Sequence, residues 1–407
     1  MAIFQNKFPA LRYRDFRILW IGLLISNIGS QMQFAAINWH IFLLTHSALS
    51  LGLLGLTRFL PISIFALIGG TVADSHNRKK ILLITQSSLT ILSLILAFVT
   101  LTHHDSATII YVITALSAIA LAFDTPPRQA IVPALVKREH VSNAMNLNTI
   151  MWQIAMVAGP ALSGFVIAWI GIGSIYLINA ISFLAVIGAL LIMKTSGEIE
   201  GDPSHVSFRS MVEGLKFVKS KTMIWSTMIL DFFCTFFASA TALLPIFADK
   251  ILHVGPTGYG FLYAAQSVGA VFAGYTMAHL GNIKRQGKII LLSVSLYGLA
   301  TILFGFSRLF ILSFIALFFV GVGDCISTIL RNTIRNLVTP DEMRGRMTSV
   351  NMIFFLGGPQ LGEFEAGLLA AIVGVPISVA IGGLGTLIVV ALVFTTIPQI
   401  RNYSHEM

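Results

Sequence analysis

The chain has 407 residues, of which 56% are hydrophobic and only 11% are charged. Soluble domains carry about 25% charged residues. A mean hydropathy of +0.85 is too high for a soluble protein of this length, so the composition predicts a membrane protein. The net charge of +9 does not indicate nucleic-acid binding, because the basic residues are scattered among loops. Cys234 and Cys325 fall in apolar runs and define neither a disulfide framework nor a redox compartment.

Apolar runs long enough to cross a bilayer, roughly 20 residues each, recur along the whole chain. We number them spans 1 to 12. They occupy residues 17–44, 49–73, 81–102, 107–127, 145–170, 174–193, 222–248, 257–280, 289–307, 309–331, 347–374 and 376–397. Span 1 is interpreted as a retained helix and not a signal peptide, because no small-residue cleavage site follows it. The pattern predicts an all-α membrane protein with twelve transmembrane helices.

The distribution of basic residues predicts the orientation of the chain. Of the 26 Lys and Arg residues, 23 lie on the side of the N-terminus, whereas Lys250 and Arg308 lie on the opposite side. The remaining one, Arg58, lies inside span 2. Because loops rich in Lys and Arg stay in the cytoplasm, we expect both termini to be cytoplasmic.

A polar segment, 195–221, divides the spans six and six. We therefore expect an N-terminal six-helix bundle over residues 1–194, a cytoplasmic linker, and a C-terminal six-helix bundle over residues 222–407. LVKREHVSNAM (135–145) and LVTPDEMRGRM (337–347) match at an offset of about half the chain.

A second match at nearly the same offset relates Gly159 and Pro160 of span 5 to Gly358 and Pro359 of span 11. Gly and Pro are frequent in membrane helices, so one such pair could be coincidence. Two matches at one offset favour a duplicated six-helix unit, which is a recurring design of transporters.

The loop after span 2, GTVADSHNRK (70–79), resembles the G-x-x-x-D-R-x-G-R-R signature of the major facilitator superfamily. Ser75 replaces the usual Arg, which weakens any latch that needs that group, and Asn77 replaces the usual Gly. We expect Asn77 to keep the bend, since Asn tolerates a left-handed turn. The corresponding loop of the second half has Ala278 in place of the acid. The matching positions are Gly70, Asp74, Arg78 and Lys79.

The resemblance runs the full length of the chain. Span 5 is similar to the antiporter signature G-P-x-x-G-G, with Ser163 for one Gly. FDTPPRQA (123–130), LLPIFADKILHVGP (243–256), TPDEMRGRM (339–347) and GEFEAG (362–367) are similar to the branch that contains the enterobactin exporter and drug-efflux proteins.

Membership would imply two pseudo-symmetric bundles in a bacterial cytoplasmic (inner) membrane that work by alternating access. Spans 1, 4, 7 and 10 would line the cavity, and spans 2, 5, 8 and 11 would join the halves. Gating or conformational roles are expected for Gly70, Asp74, Arg78, Lys79, Asp124, Arg128, Gly159, Pro160, Gly358 and Pro359.

Ionisable groups at bilayer depth cost about 2.5–3.5 kcal/mol each, so they need a partner, water or a function. Arg58 of span 2 and the pair Glu363 and Glu365 of span 11 lie at a similar depth. Two residues apart on a helix, the two carboxylates point about 200° apart. We expect Arg58 to pair with one of them and the other to be available for reversible protonation. The sequence leaves open which is which.

Two further polar sets lie within the spans. Asp324 and Arg331 share one face of span 10, and Asp231 of span 7 lies at a similar depth. A static network that closes the cytoplasmic end is favoured here over a proton-carrying role. Along span 1, Asn27, Gln31 and Gln33 form either hydrogen bonds between helices or a polar wall of the substrate cavity.

No HExxH, GxSxG or CxxC motif occurs, and residues 281–288 fall short of a phosphate loop. An intramembrane enzyme is therefore disfavoured, and no metal or cofactor is expected. The sequence favours a monomeric secondary transporter, a proton-coupled exporter (antiporter) of a small amphipathic compound such as a siderophore or drug. The alternative is uptake or facilitated diffusion of a polar metabolite. Membrane lipid, the substrate and protons are the expected partners, and the sequence does not identify the substrate.

Overall fold

The computed structural model describes residues 8–196, 208–280 and 283–404, and within these ranges it contains helices and no strand. Twelve long helices correspond in order to the twelve predicted spans. They are α1 Arg14–Thr45, α2 Ala48–Ser75, α3 Arg78–Leu101, α4 Ala107–Ala134, α5 Val141–Trp169, α6 Ile172–Ile192, α7 Thr222–Phe237, α8 Gly255–Leu280, α9 Gln286–Phe306, α10 Phe310–Val338, α11 Asp341–Val373 and α12 Val375–Thr396.

In the described part of the chain, ten helical stretches are long and apolar enough to cross a membrane, and one of them runs from α7 through the turns that follow it, over Thr222–Ile251. The other two long helices, α8 and α11, are not among these ten stretches. Ten candidate spans are thus found among the described residues, and the count of twelve transmembrane helices stays a prediction. Many helices run several residues beyond the predicted apolar runs, because polar turns continue the helix past the hydrophobic segment.

The main departure from the predicted spans is in span 7. Helix α7 ends at Phe237 and is followed by three short helical turns, Ala240–Leu243, Leu244–Ile246 and Phe247–Ile251. Pro245 lies in this segment, and a proline lacks the N–H that a continuous helix would donate to the preceding turn. Pro245 therefore interrupts the helical hydrogen bonding inside a segment that the apolar run predicts to be one helix.

The predicted linker, 195–221, is partly helical. Its residues 197–207 lie outside the described ranges, but Phe208–Ser220 forms a helix, which we call the linker helix. Gly214 of this helix approaches the carbonyl oxygen of Arg346 in α11, and Arg346 Nη1 lies 3.4 Å from Glu213 Oε2. Val218 is buried in one cluster with Met228.

The chain divides into two compact units. The first comprises Met1–His40 and Leu60–Val206, and the second comprises Ile41–Phe59 and Ser207–Met407. One core of the first unit gathers Phe16, Leu19, Leu82, Ile131 and Leu190, and one core of the second gathers Leu230, Ile290, Leu330, Val390 and Val393. The division into bundles at residues 1–194 and 222–407 stays a prediction.

The repeated Gly-Pro motif occupies similar packing positions in each unit. A Cβ at Gly159 of α5 would collide with Gln31 Cβ of α1, and a Cβ at Gly358 of α11 would collide with Thr235 Oγ1 of α7. Glycine lets two helix backbones approach closely. Both motifs therefore pack the fifth helix of a predicted half against its first.

Asn77 does not adopt the left-handed conformation expected for it. Its φ is −56° and its ψ is 114°, and its side-chain Oδ1 accepts a hydrogen bond from Lys80 N as the N-cap of α3. The expectation was wrong because the preference of Asn for helix N-caps competes with its tolerance of left-handed turns. The replacement of Gly by Asn here fixes the start of a helix.

Candidate functional site

The N-terminal half of α2 belongs to the second unit, within Ile41–Phe59. It packs against α11 through glycine residues. A Cβ at Gly55 would collide with the carbonyl oxygen of Gln360, and a Cβ at Gly52 would lie 3.0 Å from the carbonyl oxygen of Glu363. On the α11 side, a Cβ at Gly367 would lie 2.6 Å from the carbonyl oxygen of Ala48. This close contact, which we call the glycine seam, brings Arg58 beside Glu363.

Arg58 and Glu363 form a buried ion pair in the second unit. Arg58 Nη1 lies 3.7 Å from Glu363 Oε2, and the two side chains are 7% and 8% exposed. The hydroxyl of Thr241 donates a hydrogen bond to the Glu363 carboxylate. Tyr259 and Tyr263 of α8 interact electrostatically with Arg58. Each charge in this low-dielectric setting thus has an opposite charge or a polar group beside it.

Glu365 is placed differently from Glu363. Glu365 is half-buried, and its Oε2 is a buried atom without a hydrogen-bond partner among the described residues. The rotation of α11 explains the difference, since Gly362 packs against the carbonyl oxygen of Phe236 in α7. This contact fixes which carboxylate turns toward α2. Of the two predicted roles, Glu363 has the position of the ion-pair partner and Glu365 has that of the unpaired acid.

Asp231 and Arg331 meet at a second buried site. Arg331 Nη2 donates to Asp231 Oδ1 at 2.7 Å, and both side chains are 3% exposed or less. Arg335 Nη2 lies 3.6 Å from Asp231 Oδ2. Arg331 Nη2 also donates to Thr328 Oγ1 at 3.0 Å, and Thr328 is hydrogen-bonded to the Asp324 carboxylate. We call these four charged residues and Thr328 the Asp231 network.

The formal charges of the Asp231 network cancel, because two carboxylates face two guanidinium groups. Arg335 has further partners: it donates to Asn351 Oδ1 and, at 3.0 Å, to Asn332 Oδ1. Its Nε also donates to the carbonyl oxygen of Arg331 at 3.2 Å. Such an array of paired charges suits a structural role that ties α7, α10 and α11 together.

Asp124 is the centre of a smaller set in the first unit. Arg128 Nη2 lies 2.5 Å from Asp124 Oδ2, while Thr85 Oγ1 and Gln86 Nε2 donate to Asp124 Oδ1 at 2.7 and 2.8 Å. Arg128 Nη1 also donates to Asn27 Oδ1 of α1 at 3.4 Å. We call these residues the Asp124 network. It joins α1, α3 and α4.

The polar residues predicted along span 1 have separate environments. Gln33 is buried, and its Oε1 accepts hydrogen bonds from Ser93 Oγ and Asn179 Nδ2 at 3.0 and 2.9 Å. Gln31 lies against Gly159 of α5. For Gln33, the alternative of hydrogen bonding between helices accounts for the contacts. Asn27 belongs to the Asp124 network.

The signature-like loop after α2 is bound to its own unit. Arg78 Nη1 donates to the carbonyl oxygen of Ala130 at 3.0 Å, and Lys79 Nζ donates to that of Met193 at 2.8 Å. Gly70 has no atom within 4 Å of the place of a Cβ. Asp74 is half-buried.

Two features of the sites were missed in the sequence. Arg335 lies four residues beyond the predicted end of span 10 at residue 331, although its spacing of four from Arg331 would place both on one helix face. The seam glycines, Gly52 and Gly55, were not identified from the sequence, although small residues about one helical turn apart lie on one face and let two helices pack closely.

Comparison with known families gives one match across the chain. A family model described as "Transmembrane secretion effector" matches residues 5–406. The enterobactin exporter EntS of Shigella boydii serotype 18 is 25% identical over 389 residues, which cover 95% of this chain and 93% of that protein.

Solved structures with the same fold are also transporters. A bacterial homologue of the human lysosomal transporter Spinster superimposes with a TM-score of 0.75, at 15% identity, over 96% of this chain and 98% of that one. The nucleoside transporter NupG superimposes with a TM-score of 0.71, at 13% identity, over 94% of this chain and 98% of that one. At these identities the likeness concerns the fold.

Proposed function

Because the chain belongs to the transmembrane secretion effector family of major facilitator transporters, we propose that it is a proton-coupled exporter of a small amphipathic compound. The resemblance drawn from the sequence motifs is confirmed at the level of the superfamily. The protein is a multi-pass membrane transporter and not an enzyme. Proton coupling, antiport, alternating access and the bacterial inner membrane are parts of the proposal.

The observation that carries the proposal is the contrast between Glu363 and Glu365 on α11. Glu363 is held by Arg58 at 3.7 Å, while Glu365 Oε2 is buried without a hydrogen-bond partner among the described residues. An ionised side chain without a partner is costly at bilayer depth, by about 2.5–3.5 kcal/mol. In this proposal, Glu365 gains and loses a proton during the cycle, and Glu363 stays paired while the seam is closed.

Alternating access requires contacts that form in one state and break in another. The glycine seam and the Arg58–Glu363 pair are suited to this, because α2 and α11 meet there through small residues and one ion pair. When such a contact breaks, both charges become hydrated. The free energy of hydration offsets the lost attraction between them. Arg58→Glu would place like charges in the seam, and we expect it to abolish transport. Unchanged transport in Arg58→Glu would contradict a gating role for the Arg58–Glu363 pair.

The direction of transport is proposed from the exporter relative, which is 25% identical over 95% of this chain. The name of that relative motivates the siderophore enterobactin as the first probe, and ethidium serves as an amphipathic cation of unrelated structure. Uptake or facilitated diffusion of a polar metabolite remains the alternative from the sequence, and nothing in the geometry favours it.

The test measures retention of each probe in cells that lack their own exporters, with and without the protein. We expect expression to lower retention of at least one probe and an uncoupler of the proton gradient to restore it. Cells that express Glu365→Gln should retain as much probe as cells without the protein. If the uncoupler lowered retention further, or if Glu365→Gln exported normally, proton-coupled export through Glu365 would be wrong.

A further inference from the structure

Three titratable side chains that the proposed transport residues do not include meet at the C-terminal end of α1. They are His40 of α1, Asp105 of the loop between α3 and α4, and Tyr176 of α6, and we call them the His40 set. All three belong to the first compact unit. The distribution of Lys and Arg predicts that this end of α1, opposite the N-terminus, lies on the outer side of the membrane.

The ends of two helices hold the loop that carries Asp105. His103, at the end of α3, has a φ of 56°, and the N–H of His104 donates to the carbonyl oxygen of Val99 at 2.9 Å. This hydrogen bond is typical of a helix that ends in a left-handed residue. Directly after Asp105, the side chain of Ser106 caps the start of α4. The backbone position of Asp105 is therefore set by α3 and α4 together.

The start of α6 packs closely against the end of α3. A Cβ at Gly173 would lie 2.7 Å from Leu101 Cδ2. Tyr176 lies about one helical turn beyond Gly173 on the same face of α6. This contact brings α6 beside the loop, so that Tyr176 and Asp105 reach the same imidazole.

Both ring nitrogens of His40 have a partner. Nε2 lies 2.7 Å from Asp105 Oδ2, and Nδ1 lies 2.9 Å from the hydroxyl oxygen of Tyr176. An ionised carboxylate can only accept hydrogen bonds, so Nε2 carries the hydrogen. In the neutral imidazole, Nδ1 is then the acceptor, and the Tyr176 hydroxyl donates to it.

Burial increases along the His40 set. The side chains of Asp105 and His40 are 15% and 4% exposed, and Tyr176 is 0% exposed. Asp105 and Tyr176 are the titratable groups that the loop and α6 turn toward His40, while His103 and His104 of the loop are exposed. A tyrosine hydroxyl can donate or accept. The same three side-chain positions therefore accommodate both the neutral and the charged imidazole.

We propose that His40 is a proton-binding site of the first unit, separate from Glu365. Uptake of one proton from the outer solution gives the ring a second N–H, at Nδ1, and the Tyr176 hydroxyl changes from donor to acceptor. Asp105 balances the charge, so its contact with His40 becomes an ion pair between the loop and α1. Outer pH thereby changes how α1 is bound to the loop and to α6. The site needs no transported compound and does not rest on the proposed export.

The test is NMR of the purified full chain labelled with nitrogen-15 at histidine, because the shifts of the ring nitrogens distinguish the two neutral tautomers from the imidazolium. The His40 signals are those absent from His40→Gln. Should that variant fail to fold, they are those that shift in Tyr176→Phe. We expect the neutral form with its hydrogen on Nε2 at about pH 8 and the imidazolium at about pH 5, the range in which histidine ordinarily titrates.

One variant and two controls locate the site. Asp105→Asn removes the negative charge beside the ring, and a buried cation without an opposite charge is costly, so we expect it to abolish the imidazolium signal over the same pH range. Asp249→Asn, at an exposed pair with Lys250 in the second unit, and His104→Gln, in the same loop, should leave the conversion unchanged.

Three outcomes would overturn the proposal. They are a hydrogen on Nδ1 in the neutral form, a ring whose protonation does not change over this range, and an unchanged conversion in Asp105→Asn. The wild-type spectra alone decide the first two, whether or not the variants fold. Export plays no part in the measurement, so its failure would leave the role proposed for Glu365 standing.

Discussion

In the first compact unit, Asp124 is held by one arginine and two neutral donors, whereas in the second unit Asp231 is held by two arginines. The first arrangement satisfies an acid within α3 and α4, with a link to Asn27 of α1. The second makes an acid of α7 depend on cations of α10. The same predicted repeat thus secures its helices by local hydrogen bonds in one half and by charge pairing between helices in the other.

The difference predicts how each network fails. An acid with several neutral donors tolerates the loss of one partner, because the remaining hydrogen bonds still satisfy it. An acid that balances two buried cations does not, because removing it leaves two guanidinium groups with one remaining carboxylate. Thermal unfolding of the purified protein in detergent can therefore rank the substitutions.

The largest effect is expected for Asp231→Ala. It leaves Arg331 and Arg335 buried without their acid, and breaking a buried pair in this way costs about 3–5 kcal/mol. The midpoint of thermal unfolding should fall accordingly. Asp249→Ala, at an exposed pair with Lys250, is the control and should change stability by less than about 0.5 kcal/mol. Equal shifts for the two variants would contradict the Asp231 network.

An intermediate effect is expected for Arg335→Met. Asp231 keeps Arg331, but Asn332 and Asn351 lose a donor, so we expect a loss of about 1.5–3 kcal/mol. Arg346→Met removes an arginine that is 43% exposed and pairs with Glu213 at the surface. A midpoint for Arg335→Met no lower than that of Arg346→Met would mean that Arg335 contributes no more than a surface charge.

The smallest effect is expected for Arg128→Met. Arg128 is 20% exposed, and Asp124 keeps its hydrogen bonds from Thr85 and Gln86. We expect a loss of about 1 kcal/mol. The comparison between the units depends on this value being smaller than that for Arg335→Met. A loss as large as that of Asp231→Ala would show that both units rely on charge pairing to the same degree.

The sequence predicted the helices well, because apolar runs of membrane length are a strong signal. It also predicted that Arg58 pairs with one glutamate of α11, since their depths could be counted along the spans. It could not predict which glutamate, because the rotation of α11 is set by the contact of Gly362 with α7. Contacts between helices, such as this one, do not change the spacing of apolar residues along a single helix, so the sequence pattern does not reveal them.

Other features were hidden for different physical reasons. Arg335 lay beyond the predicted end of span 10 because α10 continues past its apolar run to Val338, and composition does not mark the end of a helix. Asn77 was assigned to a left-handed turn because the family pattern has Gly there, while the chain uses it as an N-cap. Glu365 Oε2 has no hydrogen-bond partner among the described residues. That state depends on which side chains the helices around α11 place near it, and the sequence of one helix does not show this.

The division of roles between Glu363 and Glu365 can be tested most directly in proteoliposomes with the probe that cells export. Glu365→Gln should lose transport driven by an imposed pH gradient and keep exchange of the probe at equal pH on both sides. Glu363→Gln should impair both reactions, because Arg58 loses its partner. Wild-type rates of gradient-driven transport in Glu365→Gln would contradict the account.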